Sequence, residues 1–305
     1  MKSVLLFPGQ GSQSVGMMNG FDSSIVKETF ALGSNVFGED LLDLITSDND
    51  KINQTIYTQP IMVLSGYTTY LLLKENKPNL QSAYVAGHSL GEVTAACVAG
   101  VFSVDTAVQI VQKRAQLMQN AVPAGDGAMA AILGLEDSVV EEICDALRST
   151  GVIEPVNYNS PGQIVVAGEK KLIEQSLDKF KDKGAKRALL LPVSVPSHCS
   201  LMKSAAEDFG KYLNDFEFNN ADIPIIQNVC ATEVIDKSLI KENLVAQLFN
   251  PVKWTASIQY LEKQGVSNFI ESGPGKVLWG LNRRITQLED SKHITINSDE
   301  VFNEL

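Results

Sequence analysis

Ser89, within Gly87-His88-Ser89-Leu90-Gly91, and His198, closing Val195-Pro196-Ser197-His198, are the residues best equipped for chemistry. A serine hydroxyl turns nucleophilic when a neutral imidazole takes its proton, and such a pair works on acyl groups. The chain has only three histidines. His88 adjoins the serine and would diverge from it at a sharp turn, and His293 falls in a polar tail, so His198 is the partner for Ser89. It is expected at or near the amino end of a helix, where the dipole disfavours a protonated ring and favours a base.

Arg114 is the third candidate. It lies in Gln112-Lys113-Arg114-Ala115-Gln116-Leu117-Met118 with Ile110, Val111, Leu117 and Met118 at the spacings that share a helix face. An arginine in an apolar stripe is costly unless an anion meets it. Two readings stand: an internal salt bridge or snorkelling side chain, or a two-pronged clamp for a substrate carboxylate.

These residues need elements to hold them. The apolar run 82–86 reads as a strand and 92–99 as a helix, so Ser89 sits on a strand-to-helix elbow that lifts the hydroxyl clear of a sheet. Val4 to Phe7 reads as a buried strand running into Pro8-Gly9-Gln10-Gly11-Ser12-Gln13. That loop lacks the spacing of phosphate-binding motifs, and its amides suit part of an oxyanion hole. Helices are expected over 24–48, from a Thr58 cap with Pro60 in the first turn, and over 103–120 behind a Ser103 cap.

From Gly127 the order is strand 128–133, helix 137–148, strand 153–158, the turn Asn159-Ser160-Pro161-Gly162, strand 163–167, helix 170–183 and strand 187–191. That β-α-β-β-α-β run is the ferredoxin-like unit. The fold class is therefore α/β: a large α/β-hydrolase-like domain with a parallel sheet, residues 1–125 and 194–305, interrupted by a small ferredoxin-like subdomain, 126–193. Beyond it come a strand over 223–229, helices over 238–249 and from about 254 to 264, a strand over 268–271, a helix over 276–288 and a frayed end over 298–305.

Composition narrows the partners. Lys and Arg number 25 and Asp and Glu 36, a formal charge of 25 − 36 = −11, which argues against nucleic acid and anionic membranes. The apolar run at the amino terminus is too short for a signal peptide, and no stretch approaches a membrane span. Cys97, Cys144, Cys199 and Cys230 are widely separated, as reduced thiols are, with no zinc or disulfide pattern. A cytoplasmic protein without a metal site follows.

Taken in order, the 8–13 loop, the elbow, the Arg114 heptapeptide, Val195-Pro196-Ser197-His198, Gln247-Leu248-Phe249-Asn250-Pro251-Val252 and Gly273-Pro274-Gly275 resemble the malonyl-CoA:acyl carrier protein transacylases of bacterial type II fatty acid synthesis, from about residue 3 to 285. The resemblance implies Ser89 as the acylated nucleophile, His198 as its base and Arg114 as the clamp for the malonyl carboxylate. It implies oxyanion-hole amides from Gln10 and Leu90, Gln247 holding the imidazole through an amide or carbonyl oxygen, and Asn159 at the edge of a substrate cleft. Malonyl-CoA and an acyl carrier protein would be the partners of a monomer, with no cofactor. Modular synthase relatives carry sorting motifs before the histidine; Val195-Pro196-Ser197 has the form of stand-alone malonyl enzymes. A discrete malonyltransferase of a polyketide pathway, a serine hydrolase or thioesterase with an acid behind His198, and a non-catalytic carrier-docking protein are the rivals. An acidic carrier needs a basic patch, for which Lys186, Arg187, Lys203, Arg283 and Arg284 are the candidates.

Overall fold

The computed structural model describes residues 2–193 and 195–305. Residues 1 and 194, the two starting points of the expected large domain's segments, lie outside the described residues.

Two sheets divide the work. The larger has six strands in the order β10-β9-β1-β2-β7-β8: β1 (Lys2–Phe7), β2 (Tyr84–Gly87), β7 (Ile225–Ile226), β8 (Glu233–Val234), β9 (Val266–Ser272) and β10 (Lys292–Ile296). All pairings are parallel except β7 with β8. Strands β1 and β2 are almost wholly buried because helices cover both faces, which is why they read as continuous apolar runs, whereas β9 buries Phe269 and Ile270 among polar residues. Apolar residues of β1 alternate between two cores: Leu5 and Phe7 join Phe30, Leu64 and Val111 on one face, while Val4 and Leu6 join Trp254, Ile258 and Phe269 on the other.

The smaller sheet has four antiparallel strands in the order β4-β5-β3-β6: β3 (Gly127–Leu133), β4 (Ile153–Ser160), β5 (Gln163–Glu169) and β6 (Arg187–Leu190). Its period-2 pattern sorts side chains cleanly. Ala128, Ala130, Ile132, Ile164 and Val166 pack under the helices Asp137–Leu147 and Lys170–Asp182, while Met129, Val156, Val165 and Ala167 face back toward the larger sheet. Edge strand β4 is fastened to the larger body: Tyr158 N–H donates to Val252 O at 3.0 Å and Val252 N–H to Val156 O at 2.8 Å.

Several local expectations need correction. The stretch 24–48 is two helices, Ser24–Phe37 and Leu41–Thr46, because Gly38 takes a left-handed cap and Asp40 caps the next start. The following helix begins at Thr55, so Thr58 is inside it, where its hydroxyl bonds Ile52 O and Gln54 O, and Pro60 lies past the first turn. The strand expected over 223–229 has only Ile225 and Ile226 in the sheet. His293 is in β10, stacked on Phe269 at 5.0 Å, rather than in a polar tail. The end is not frayed: Asp299–Glu304 forms a 3-10 turn that buries Phe302.

Candidate active site

Strand β2 ends at Gly87 and the elbow helix Gly91–Val98 begins at once, leaving three residues to reverse the chain. A Cβ on Gly87 would stand 1.9 Å from the Gly91 carbonyl carbon, and one on Gly91 would stand 2.0 Å from Phe7 O. Only glycine fits either position. Ser89 takes φ 51°, a left-handed conformation costing on the order of 1–2 kcal/mol in a non-glycine residue. His198 shares that strain with φ 68°. It lies in a turn ahead of the 3-10 segment Ser200–Met202 and the helix Lys203–Leu213, not in the helix itself.

Strain at both residues brings Ser89 Oγ to 2.7 Å from His198 Nε2. The ring's other nitrogen, Nδ1, lies 2.7 Å from the main-chain oxygen of Gln247. A carbonyl oxygen can only accept, so Nδ1 carries the proton and Nε2 is bare to accept the serine proton. His198 is buried. Burial, and next the charge of Arg114, push its pKa down to about 3, so the ring is neutral at physiological pH.

Arg114 projects from the helix Val104–Asn120, the amphipathic pattern of which places it on the buried stripe. Its Nη1 donates to Gln59 Oε1 at 3.0 Å, and its Nη2 to Gln247 Oε1 at 3.0 Å and Ser89 Oγ at 3.3 Å. Among the described residues no carboxylate forms an ion pair with it. Burial lowers its pKa to about 10, with the field of Glu92 raising it, so it remains a cation. Of the two readings for Arg114, the internal salt bridge is absent and a buried cation faces a cavity of about 370 Å³.

Gln10, Gln59, Ser89, Leu90, Arg114, Met118, Met129, Asn157, Val165, Leu191, Val193 and His198 are among the residues lining that cavity, which lies between the two sheets. It opens at the carboxyl ends of β1 and β2, where parallel sheets place their ligands. The Gln10 and Leu90 N–H groups have no acceptor among the described residues. The Ser89 N–H is occupied, donating to Asn228 Oδ1 at 2.7 Å.

Gln247 does two jobs: its main-chain oxygen holds His198, while its side chain links Arg114 to Ser89 O, the latter accepting from Nε2 at 3.0 Å. Asn159 belongs to the end of β4 rather than the turn, and its Oδ1 meets His88 Nε2 at 2.8 Å instead of the cavity. Its neighbour Asn157 lines the cavity and holds a buried Oδ1 with no partner among the described residues. Sequence reasoning missed Asn157, Gln59, Asn228 and Glu92. Asn157 and Asn159, at alternate positions of one strand, carried a signal; the other three touch the site only through the fold. No group of three His, Cys, Asp or Glu is arranged for a metal among the described residues.

Residues 4–296 match the acyl transferase domain model. This chain belongs to the acyl transferase domain family. The acyl transferase is 45% identical over 285 residues to a malonyl CoA-acyl carrier protein transacylase of Escherichia coli strain K12, covering 92% of each. It is 44% identical over 290 residues to the Staphylococcus aureus MRSA252 protein of that name, covering 94% of this chain and 93% of the other. Its fold superimposes on an acyl carrier protein S-malonyltransferase from Vibrio cholerae with a TM-score of 0.95 at 44% identity, over 100% and 99% of the two chains. A malonyl-transacylase solved in complex with its type II polyketide acyl carrier protein is 38% identical, with a TM-score of 0.95 over 99% and 98%.

Proposed function

We propose that this acyl transferase moves the malonyl group of malonyl-CoA to the phosphopantetheine thiol of an acyl carrier protein through a malonyl-serine ester, in fatty acid biosynthesis. The observation that carries this reading is Arg114: a buried guanidinium with no ion-pair partner among the described residues, 3.3 Å from the Ser89 hydroxyl. An acyl group on that hydroxyl is held by a cation only if it ends in an anion, as malonyl does and acetyl does not.

Ser89 Oγ attacks the thioester carbonyl as His198 Nε2 takes its proton. The tetrahedral oxyanion is met by the N–H groups of Gln10 and Leu90, each such donor being worth about 3–4 kcal/mol. Collapse breaks the C–S bond, and the imidazolium returns its proton to the departing CoA thiolate. The carrier thiol then repeats the sequence in reverse, giving malonyl-carrier and free Ser89. Protein groups supply each step, so the reaction as written calls for no cofactor.

The hydrolase reading required an acid behind His198, and a main-chain carbonyl stands there instead. The polyketide reading draws support from the relative solved with its polyketide carrier, and the carrier that is served distinguishes the two pathways. No helix among the described residues is long and apolar enough to cross a membrane. Four free cysteines, three of them buried, support the reducing, cytoplasmic setting proposed for the enzyme, which is taken to act as a monomer.

Incubation with malonyl-, methylmalonyl- and acetyl-CoA, followed by intact mass measurement before and after adding holo-carrier, tests the reading. One malonyl group should appear on Ser89 and leave for the carrier thiol. Steady release of free malonate without a carrier would mark a hydrolase, and an unlabelled Ser89 would sink the proposal.

A further inference from the structure

Beneath the elbow lies a carboxylate that the acyl-transfer steps leave unused. Glu92, in the first turn of the elbow helix, is fully buried. Its Oε2 accepts the Asn228 N–H at 2.6 Å and its Oε1 accepts from Gln227 Nε2 at 3.3 Å. Two donors face its two oxygens, an arrangement that only a carboxylate answers in full.

Asn228, itself 1% exposed, turns this anchorage toward the serine. Strand β7 pairs with β2 only through Val85–Ile225 and Ala86–Ile226, after which the chain bends away. The Asn228 side chain continues the ladder: Nδ2 donates to Gly87 O at 2.7 Å and Oδ1 accepts from Ser89 N–H at 2.7 Å. One amide thus spans the left-handed residue from both sides. Gln247 Nε2 adds 3.4 Å and 3.0 Å bonds to the same Oδ1 and to Ser89 O.

We propose that Asn228, anchored by the Glu92 carboxylate, is a positioning residue for acyl transfer: it holds the strained Ser89 backbone so that Oγ stays aligned with His198 Nε2. The inference rests on the reading of Ser89 as the nucleophile. By occupying the Ser89 N–H, Asn228 also keeps that donor out of the oxyanion hole and leaves the role to Gln10 and Leu90. Neither Asn228 nor Glu92 lines the cavity, so neither contributes to malonyl-CoA affinity directly.

The test is single-turnover acylation of Ser89 by malonyl-CoA in wild type, Asn228→Ala and Glu92→Gln, each normalised to the folded fraction from its thermal melt. Displacing a reacting group by about 1 Å costs about 100-fold in rate, the loss expected for Asn228→Ala with KM for malonyl-CoA unchanged. Glu92→Gln keeps the Asn228 side chain but sets an amide N–H₂ against a donor, and should lose about 10-fold, again without a change in KM. If Asn228→Ala does not fold, Glu92→Gln decides alone. A normal rate per folded molecule, or a KM that rises in step with the loss, would reduce the pair to fold support and overturn the proposal. Failure of wild-type Ser89 to label is a different result, which removes the transferase reading before the variants are compared.

Discussion

Arg114 Nη2 and His198 Nε2 converge on the same atom, Ser89 Oγ, from 3.3 Å and 2.7 Å. The hydroxyl donates to the imidazole and accepts from the guanidinium, so these two side chains hold the serine in its reactive direction. Among the described residues, the cation that does this has only amide and hydroxyl oxygens as hydrogen-bond partners. A ligand carboxylate would offer it a stronger acceptor than any of the three.

Arg114→Ala should therefore change the substrate preference rather than abolish chemistry. Losing one partner of a buried charge pair costs about 2–5 kcal/mol, so malonyl transfer should fall by about 30-fold or more while acetyl transfer is spared or rises. The ratio of kcat/KM for the two thioesters measures it. Equal loss on both would assign Arg114 to the fold.

His198 should stay neutral far below the usual histidine range. Its folded pKa is depressed to about 3, and those of His88 and His293 are also lowered by burial, His293 to about 4. NMR of protein labelled with ¹⁵N-histidine should show His198 as the Nδ1–H tautomer from pH 8 to about pH 5; protonation near pH 6.5 would contradict the burial argument. The stability consequence has a definite sign. The unfolded ring binds a proton below pH 6.5 and the folded one does not, so stability present at neutral pH is lost as pH falls from about 6.5 toward 3. Glu92 acts oppositely: burial raises it to about 7, so its contribution to stability grows as pH falls through that value.

Three of the five cations considered for a carrier patch lie close together. Leu133 pairs with both Gln163 and Arg187 across the small sheet, Arg284 Nη1 donates to Gln163 Oε1 at 3.1 Å, and the Lys186 stem packs over Gly134. Lys186, Arg187 and Arg284 thus share one end of that sheet, whereas Lys203 opens a separate helix. Reversing the three charges should raise KM for the carrier and flatten its salt dependence while leaving Ser89 acylation by malonyl-CoA at its normal rate. Unchanged carrier kinetics would move the docking site elsewhere.

Glycines offer a paired stability test. Gly91→Ala drives a Cβ into Phe7 O and should cost about 1–3 kcal/mol or more, seen as a lower Tm. Gly280 lies in the helix Val277–Ile285 with open space where a Cβ would go, so Gly280→Ala should stabilise by about 0.5–1 kcal/mol. A Tm that falls equally in both would show that space at the elbow is not what demands glycine.

Much of this was legible in the chain because it is local. The elbow was written in glycines that flank a serine between an apolar strand and a small-residue helix, and the small sheet in alternation broken by Asn159-Ser160-Pro161-Gly162. Short strands escaped notice: β8 has two residues and is held only by its pairing with β7, and β10 depends on β9 and a stacked His293. Periodicity cannot register pieces that brief or polar.

The sequence by itself determined the reactive groups: a serine on a turn too tight for side chains, a histidine left by elimination, and an arginine in an apolar stripe. Only the tertiary structure decided what each one touches. It put the main-chain oxygen of Gln247, not an acid, behind His198, gave Arg114 an amide oxygen of Gln247, sent Asn159 to His88, and placed Glu92 and Asn228 beneath the elbow. The physical reason is range. Turn sterics and helix periodicity act over a few residues, whereas these hydrogen bonds join positions 49 to 136 apart, which meet only once both sheets are packed.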